Sequence, residues 1–167
     1  MTYCYSTFST PLGDFSVAVN TAGAVVGTAF GGETELRSRL GKCHLLNDTS
    51  ATRQVREQVL AYFASARRDF SLPLAPVGSP FQQRVWAALR AIPFGETRSY
   101  GDLAAELKSS PRAVGRANAT NPICLIVPCH RVIGADGSLT GFAFGEDIKR
   151  RLLEHEQADA VAQLRSA

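Results

Sequence analysis

The sequence predicts an α+β protein in two parts. A small N-terminal α/β domain of sheet plus helices covers residues 1–76, and a mainly helical C-terminal domain with a helix-turn-helix covers 77–167. Residues 2–30 alternate short apolar runs with turn signals, as strands do. The stretch SLPLAPVG, around residues 70–78, interrupts the pattern with two prolines and a glycine and reads as the linker. Beyond it, Ser-Pro pairs precede apolar stripes at helical spacing.

The strands are expected at Thr2–Ser9, Asp14–Val19 and Ala24–Phe30, separated by Pro11-Leu12-Gly13 and by Asn20–Gly23. Residues 50–68 read as a helix with Val55, Val59, Tyr62 and Phe63 on one face. In the second part, Ser79-Pro80 supplies an N-cap and a first-turn proline. Phe81, Val85, Trp86 and Leu89 then form an apolar stripe that stops near Ile92-Pro93-Phe94-Gly95. Ser99 opens SYGDLAAEL with Asp102 at the capping-box position, and Ser110-Pro111 opens RAVGRANAT.

Two short helices joined by a tight turn outline a helix-turn-helix. On the later one Arg112 and Arg116 are four apart and share a face, beside Ala113, Gly115 and Ala117. Small residues let a backbone approach DNA, and arginines hold phosphates or enter the base stack. A surface helix packing its small residues on a neighbour gives the same pattern. After Asn121-Pro122, the run ICLIV suits a fully buried strand ending in Pro128-Cys129-His130-Arg131-Val132. A turn at Ala135-Asp136-Gly137-Ser138 leads to the loop LTGFAFG. The last amphipathic helix is expected at Asp147 to Gln157, with Ile148, Leu152 and Leu153.

At 167 residues, 45% hydrophobic and 20% charged, the chain has the makeup of a soluble globular protein. No run approaches the roughly 18 apolar residues of a membrane span, and MTYCYSTFSTPLG lacks the pattern of a secretion signal. A cytoplasmic protein without a membrane partner is expected. The net charge of +3 permits a polyanionic partner without requiring one. From Arg84 to Arg151, 10 cationic side chains face 6 acidic ones, which puts the positive excess in the second part.

Cys4, Cys43, Cys124 and Cys129 form no CxxC pair and are expected as free thiols. Cys43-His44 alone hints at zinc, but ligands come in spaced sets of four, so neither metal nor cofactor is predicted. Cys4 and Cys124 read as small hydrophobes and Cys43 as a surface thiol. Cys129 differs, because His130 and Arg131 follow it directly. A thiol of ordinary pKa, about 8.5, is only slightly ionised at neutral pH, so a nucleophilic cysteine needs a base or a positive field. His130 fits the base and Arg131 fits the field. Neighbours on an extended chain point to opposite faces, so a Cys–His link needs a kink or a bridging water, and Pro128 suits the kink.

The run Asn121-Pro-Ile-Cys-Leu-Ile-Val-Pro-Cys-His-Arg-Val-Ile133 resembles the active-site signature of the O6-alkylguanine-DNA alkyltransferases. The likeness extends through FQQRVWAALRAIPFGETRSYGDLA, PRAVGRANATNP and the tail KRRLLEHE, and more loosely to STPLG in the first part. The resemblance implies that the protein removes the alkyl group from O6-alkylguanine in double-stranded DNA, with O4-alkylthymine as a second candidate substrate. The acceptor is its own Cys129, in a single suicidal turnover. It further implies a relay in which His130 takes the thiol proton through a water and Glu156 orients His130, following the logic of nucleophile, base and orienter. Asn121 would brace the active-site turn, and Tyr100 would hydrogen-bond the flipped guanine and protonate it on departure.

In the family the second helix of the helix-turn-helix lies in the minor groove and an arginine replaces the extruded nucleotide; Arg112 is at that position. The chemistry requires extrusion, since O6 of a stacked guanine is out of reach of an in-line thiolate. Val132, Phe142, Ala143 and Phe144 fall at substrate-pocket positions. Phe142 stands where many relatives carry tyrosine and Phe144 where glycine is common; Ala143 replaces a serine but retains its backbone N–H. The protein is expected to be monomeric. Three rivals remain: a non-enzymatic lesion sensor, in which tryptophan replaces the acceptor cysteine; a helix-turn-helix regulator; and a cysteine hydrolase.

Overall fold

In the computed structural model, which describes residues 1–166 with side chains through 157, the chain divides into two units. The first is Met1–Val77 together with Pro122–Cys124; the second is Gly78–Asn121 and the chain from Leu125 on.

The first unit opens with three strands, β1 (Thr2–Thr10), β2 (Gly13–Val19) and β3 (Val25–Phe30). Gly13, at φ +99°, allows the tight β1–β2 turn. Both pairings are antiparallel, and β4 (His44–Asn47) joins β1 in parallel to give the order β3-β2-β1-β4. From Phe15 to Val19, and throughout β3, consecutive residues are buried, so both faces of these strands are covered. Helix α1 (Glu33–Leu40) contacts β2 and β3, and α2 (Arg53–Phe63) contacts β1. Phe15 meets Phe30 edge-on at 4.9 Å. The helix expected over 50–68 is thus shorter, and Ser65 turns the chain away at φ +59°.

The expected linker is not free. Pro73 O accepts from Val25 N at 2.8 Å and Ala75 N donates to Val25 O at 2.8 Å. Ser71 exchanges two bonds with the Gln58 amide. Prolines suit such a sheet edge because they bring no backbone N–H.

The second unit holds α3 (Pro80–Arg90), α4 (Tyr100–Leu107), α5 (Pro111–Ala119) and α6 (Glu146–Ser166). Its short parallel ladder pairs β5 (Arg98–Ser99) with β6 (Val132–Ile133). The caps follow the sequence. Ser79 and Gln82 form a capping box, as do Ser99 and Asp102, and Ser110 Oγ accepts from Ala113 N at 3.2 Å. Lys108, left-handed at φ +54°, ends α4, and α5 begins three residues later: a helix-turn-helix. Trp86 Nε1 donates to Ala117 O at 2.8 Å and ties α5 to α3. Helix α6 runs on to Ser166, past the expected stop at Gln157.

The run ICLIV is buried throughout, yet it is not a strand. Ile123 makes one parallel bridge to Thr28; Leu125 then takes φ +72° and the chain turns. Asn121 Nδ2 donates to Val127 O at 2.9 Å, closing the bend over six residues. This side chain supplies a carbonyl with the donor a neighbouring strand would otherwise provide.

Candidate active site

Pro128 directs the chain into a 3-10 turn, Cys129–Arg131, so Cys129 begins a turn and does not end a strand. All three residues are buried, with Cys129 5% exposed. The turn is held from two sides. Cys129 N donates to Val127 O at 2.8 Å, Arg131 N donates to Pro128 O at 3.0 Å, and Asn118 Nδ2 reaches Cys129 O at 3.4 Å.

Behind the turn, α6 presents Glu156, 1% exposed. Its Oε2 lies 2.7 Å from His130 Nε2, and Arg131 grips both oxygens, Nε to Oε1 at 2.9 Å and Nη2 to Oε2 at 3.1 Å. Arg131 Nη1 donates to Ile92 O at 2.8 Å, and its guanidinium stands 5.7 Å from the Phe94 ring centroid. Arg131 is therefore the partner of Glu156, not simply a source of field for the thiol. Burial alone would raise the Glu156 carboxyl; His130 and Arg131 outweigh it and hold the group well below the ordinary carboxylate range. An ionised Glu156 makes Nε2 the donating nitrogen, which assigns the basic lone pair to Nδ1. Nδ1 is buried and has no hydrogen-bond partner among the described residues.

Tyr100 begins α4 and is half-buried. Its hydroxyl donates to Thr140 O at 3.4 Å. Burial raises its pKa, the Asn118 amide lowers it, and negative charge on Cys129 raises it. Gly115 and Gly141 border the ring: a Cβ at Gly115 would lie 3.9 Å from it, and one at Gly141 (φ +89°) only 3.1 Å from the hydroxyl.

Arg112 and Arg116 are exposed on α5, with Ala113 and Gly115 half-buried. Ala117, expected on the same outward surface, is 3% exposed and turned into the packing with α3. Its place on the helix sets it beside Val114 and Asn118, the buried face. An open groove of about 430 Å³ lies beside Arg116 and is lined also by Ser79, Phe81, Gln82 and Thr120. Of the expected pocket residues, Val132 is fully buried, Phe142 is buried edge-on to the half-buried Phe144 at 5.8 Å, and Ala143 is exposed.

Two participants escaped the sequence reading. Asn118 touches both Cys129 and Tyr100. Lys149 is fully buried on α6, with Nζ 5.8 Å from the Tyr100 ring centroid. Asparagine on a helix and lysine in a basic run carry no local mark of burial; only the fold reveals them.

Residues 80–158 match the family model of the 6-O-methylguanine DNA methyltransferase DNA-binding domain, and residues 3–76 that of its ribonuclease-like domain. The chain belongs to the 6-O-methylguanine DNA methyltransferase family. It is 43% identical to the methylated-DNA--protein-cysteine methyltransferase of Mycobacterium tuberculosis, with 96% of each chain covered. It is 54% identical to that of Methanosarcina acetivorans over 106 residues, 62% of this chain and 68% of the relative. Among solved structures, the Mycobacterium tuberculosis OGT in complex with DNA superposes with a TM-score of 0.82 at 39% identity, covering 93% of this chain and 94% of that one. For this member of the 6-O-methylguanine DNA methyltransferase family, none of the described helices is long and apolar enough to cross a membrane.

Proposed function

We propose that this protein repairs double-stranded DNA by transferring the alkyl group from O6 of a flipped guanine to Cys129, once per chain. The observation that carries the reading is the buried His130–Glu156 pair at 2.7 Å, immediately after the cysteine. Glu156 fixes the imidazole so that Nδ1 accepts the Cys129 thiol proton through a bridging water. The thiolate attacks the alkyl carbon in line; the S–C bond forms as the C–O6 bond breaks, and its electron pair passes to the purine. Tyr100 gives that purine a proton and recovers one through the relay. The net exchange is the thiol proton for the alkyl group. The resulting thioether has no resolving group to cleave it, which makes the reaction suicidal.

Access to O6 requires the base to leave the duplex, at a cost of about a few kcal/mol, least for a damaged and weakly paired base. Exposed Arg112 takes the vacated place in the stack and Arg116 holds backbone phosphate, with Ala113 and Gly115 admitting the groove wall. Asn121 braces the turn beneath Cys129 through Val127 O. Val132, Phe142, Ala143 and Phe144 form the purine pocket. The relay is drawn from a single chain, which favours action as a monomer, and four free thiols suit the reducing cytoplasm. A lesion sensor would carry tryptophan in place of Cys129.

The deciding experiment is intact and peptide mass spectrometry after incubation with O6-methylguanine duplex DNA. One methyl group per chain on Cys129 is expected, with Cys129→Ala inert. Methyl on Cys124 or Cys43, or many lesions removed per chain, would overturn the reading.

A further inference from the structure

Lys149 has no part in the transfer chemistry above. Its side chain is fully buried, and Nζ has no hydrogen-bond partner among the described residues. A buried ammonium without a carboxylate partner is a net cost to a fold, and such groups are retained where function requires them.

Its position on α6 suggests the requirement. Lys149, Leu152 and Glu156 are all buried and recur at i, i+3 and i+7, so they share one face of the helix. That face carries a cation and an anion about 10 Å apart along the axis. The anion is matched by Arg131 and His130. The cation lies over the face of Tyr100, whose Asn118 neighbour holds the Cys129 carbonyl. Transfer of a proton from Cys129 Sγ to His130 Nδ1 creates a thiolate and an imidazolium. Glu156 faces the imidazolium.

We infer that Lys149 is the counter-ion of the Cys129 thiolate, a positioning residue that favours the ionised sulfur and braces the Tyr100 ring. The inference rests on the reading of Cys129 as the nucleophile. Helix α6 then carries both stabilising charges for the ion pair that starts the reaction. Burial lowers the Lys149 pKa, while negative charge on Cys129 and Glu146 raises it, as mutual support between ammonium and thiolate requires. The ionisable side chains that share this site are Tyr100 on α4, His130 and Arg131 on the turn of Cys129, and Glu146 and Glu156 on α6. On α3 Arg84 and Arg90 are exposed, as are Arg112 and Arg116 on α5.

The test is the pH dependence of Cys129 carboxamidomethylation by iodoacetamide, read by peptide mass spectrometry to separate it from the other thiols. In Lys149→Met the ionisation midpoint is expected to rise by about one unit and return in Lys149→Arg. The Tm of Lys149→Met should exceed that of the wild type, since methionine fills the same space without charge. An unchanged midpoint would overturn the inference, and so would a Lys149→Met chain that unfolds, because the lysine would then serve the fold. The readout uses no DNA, so its failure is distinct from failure of methyl transfer to Cys129.

Discussion

Glu156 Oε2 lies 2.7 Å from His130 Nε2, with both side chains removed from water, and Arg131 holds the same carboxylate from the other side. The arginine keeps Glu156 from acting on His130 as an unmatched charge. With Arg131 in place the carboxylate is shared, Oε1 and Oε2 accepting from the guanidinium while Oε2 also faces the imidazole.

Glu156→Gln keeps the shape but removes this fixed tautomer, because an amide can donate to Nε2 and leave Nδ1 carrying the proton. The single-turnover rate on O6-methylguanine DNA should fall about 100-fold, within the usual range for lost acid–base assistance. Binding to unmodified duplex DNA should change little. A quenched-flow time course beside a gel-shift titration checks both.

The same carboxylate predicts an acid limb in stability. Its folded pKa is depressed from the ordinary 4.5, so its contribution is complete above about that pH and is lost as pH falls further below it. Glu156→Gln strands Arg131 in the interior and should cost about 3–5 kcal/mol at pH 7. Urea melts of both proteins from pH 7 to pH 3 should show the gap narrowing below pH 4.5. A constant gap would mean that the ion pair is not its source.

Arg112 is exposed on α5, and the role proposed for it concerns only the duplex. Arg112→Ala should slow repair of O6-methylguanine DNA by about tenfold or more, a fraction of the cost of flipping. Reaction with free O6-benzylguanine, which needs no flipping, should stay within about twofold, since the relay is untouched. Equal losses on both substrates would remove Arg112 from the stack.

Gly141 is left-handed and sits against Tyr100. Gly141→Ala adds about 1–2 kcal/mol of backbone strain and a methyl 3.1 Å from the Tyr100 hydroxyl. Transfer from DNA should slow while iodoacetamide labelling of Cys129 stays at the wild-type rate, separating the tyrosine from the sulfur.

Asn121→Ala removes one of the two donors to the buried Val127 carbonyl, leaving Cys129 N, and should cost about 0.5–1.5 kcal/mol in a thermal or urea melt. The turn then loses the bond that closes it, and the transfer rate should fall beyond what the folded fraction explains.

Much of this was legible in the sequence, for local reasons. Ser79, Ser99 and Ser110 mark their helix starts because capping is decided within four residues. Helix α1 and strand β4 were not read: α1 buries only Leu36 and β4 is largely exposed, so neither has a hydrophobic period to detect. ICLIV misleads because burial and extension leave the same apolar signature, and the bend depends on Asn121 reaching Val127. At the site, Cys129, His130 and Glu156 were readable from a motif. The grip of Arg131 on Glu156 and the burial of Lys149 required the packing of α6.

Cys129 is shielded to 5% exposure in a turn fastened on both sides. For a recycling catalyst such shelter would be a handicap, since spent material would have to depart by the same crowded route. A reagent consumed by a single event makes no departure, so seclusion guards the sulfur from stray electrophiles without slowing any later step. Cellular capacity against this damage is then set by how many chains are in hand when injury comes, and replenishment falls to synthesis.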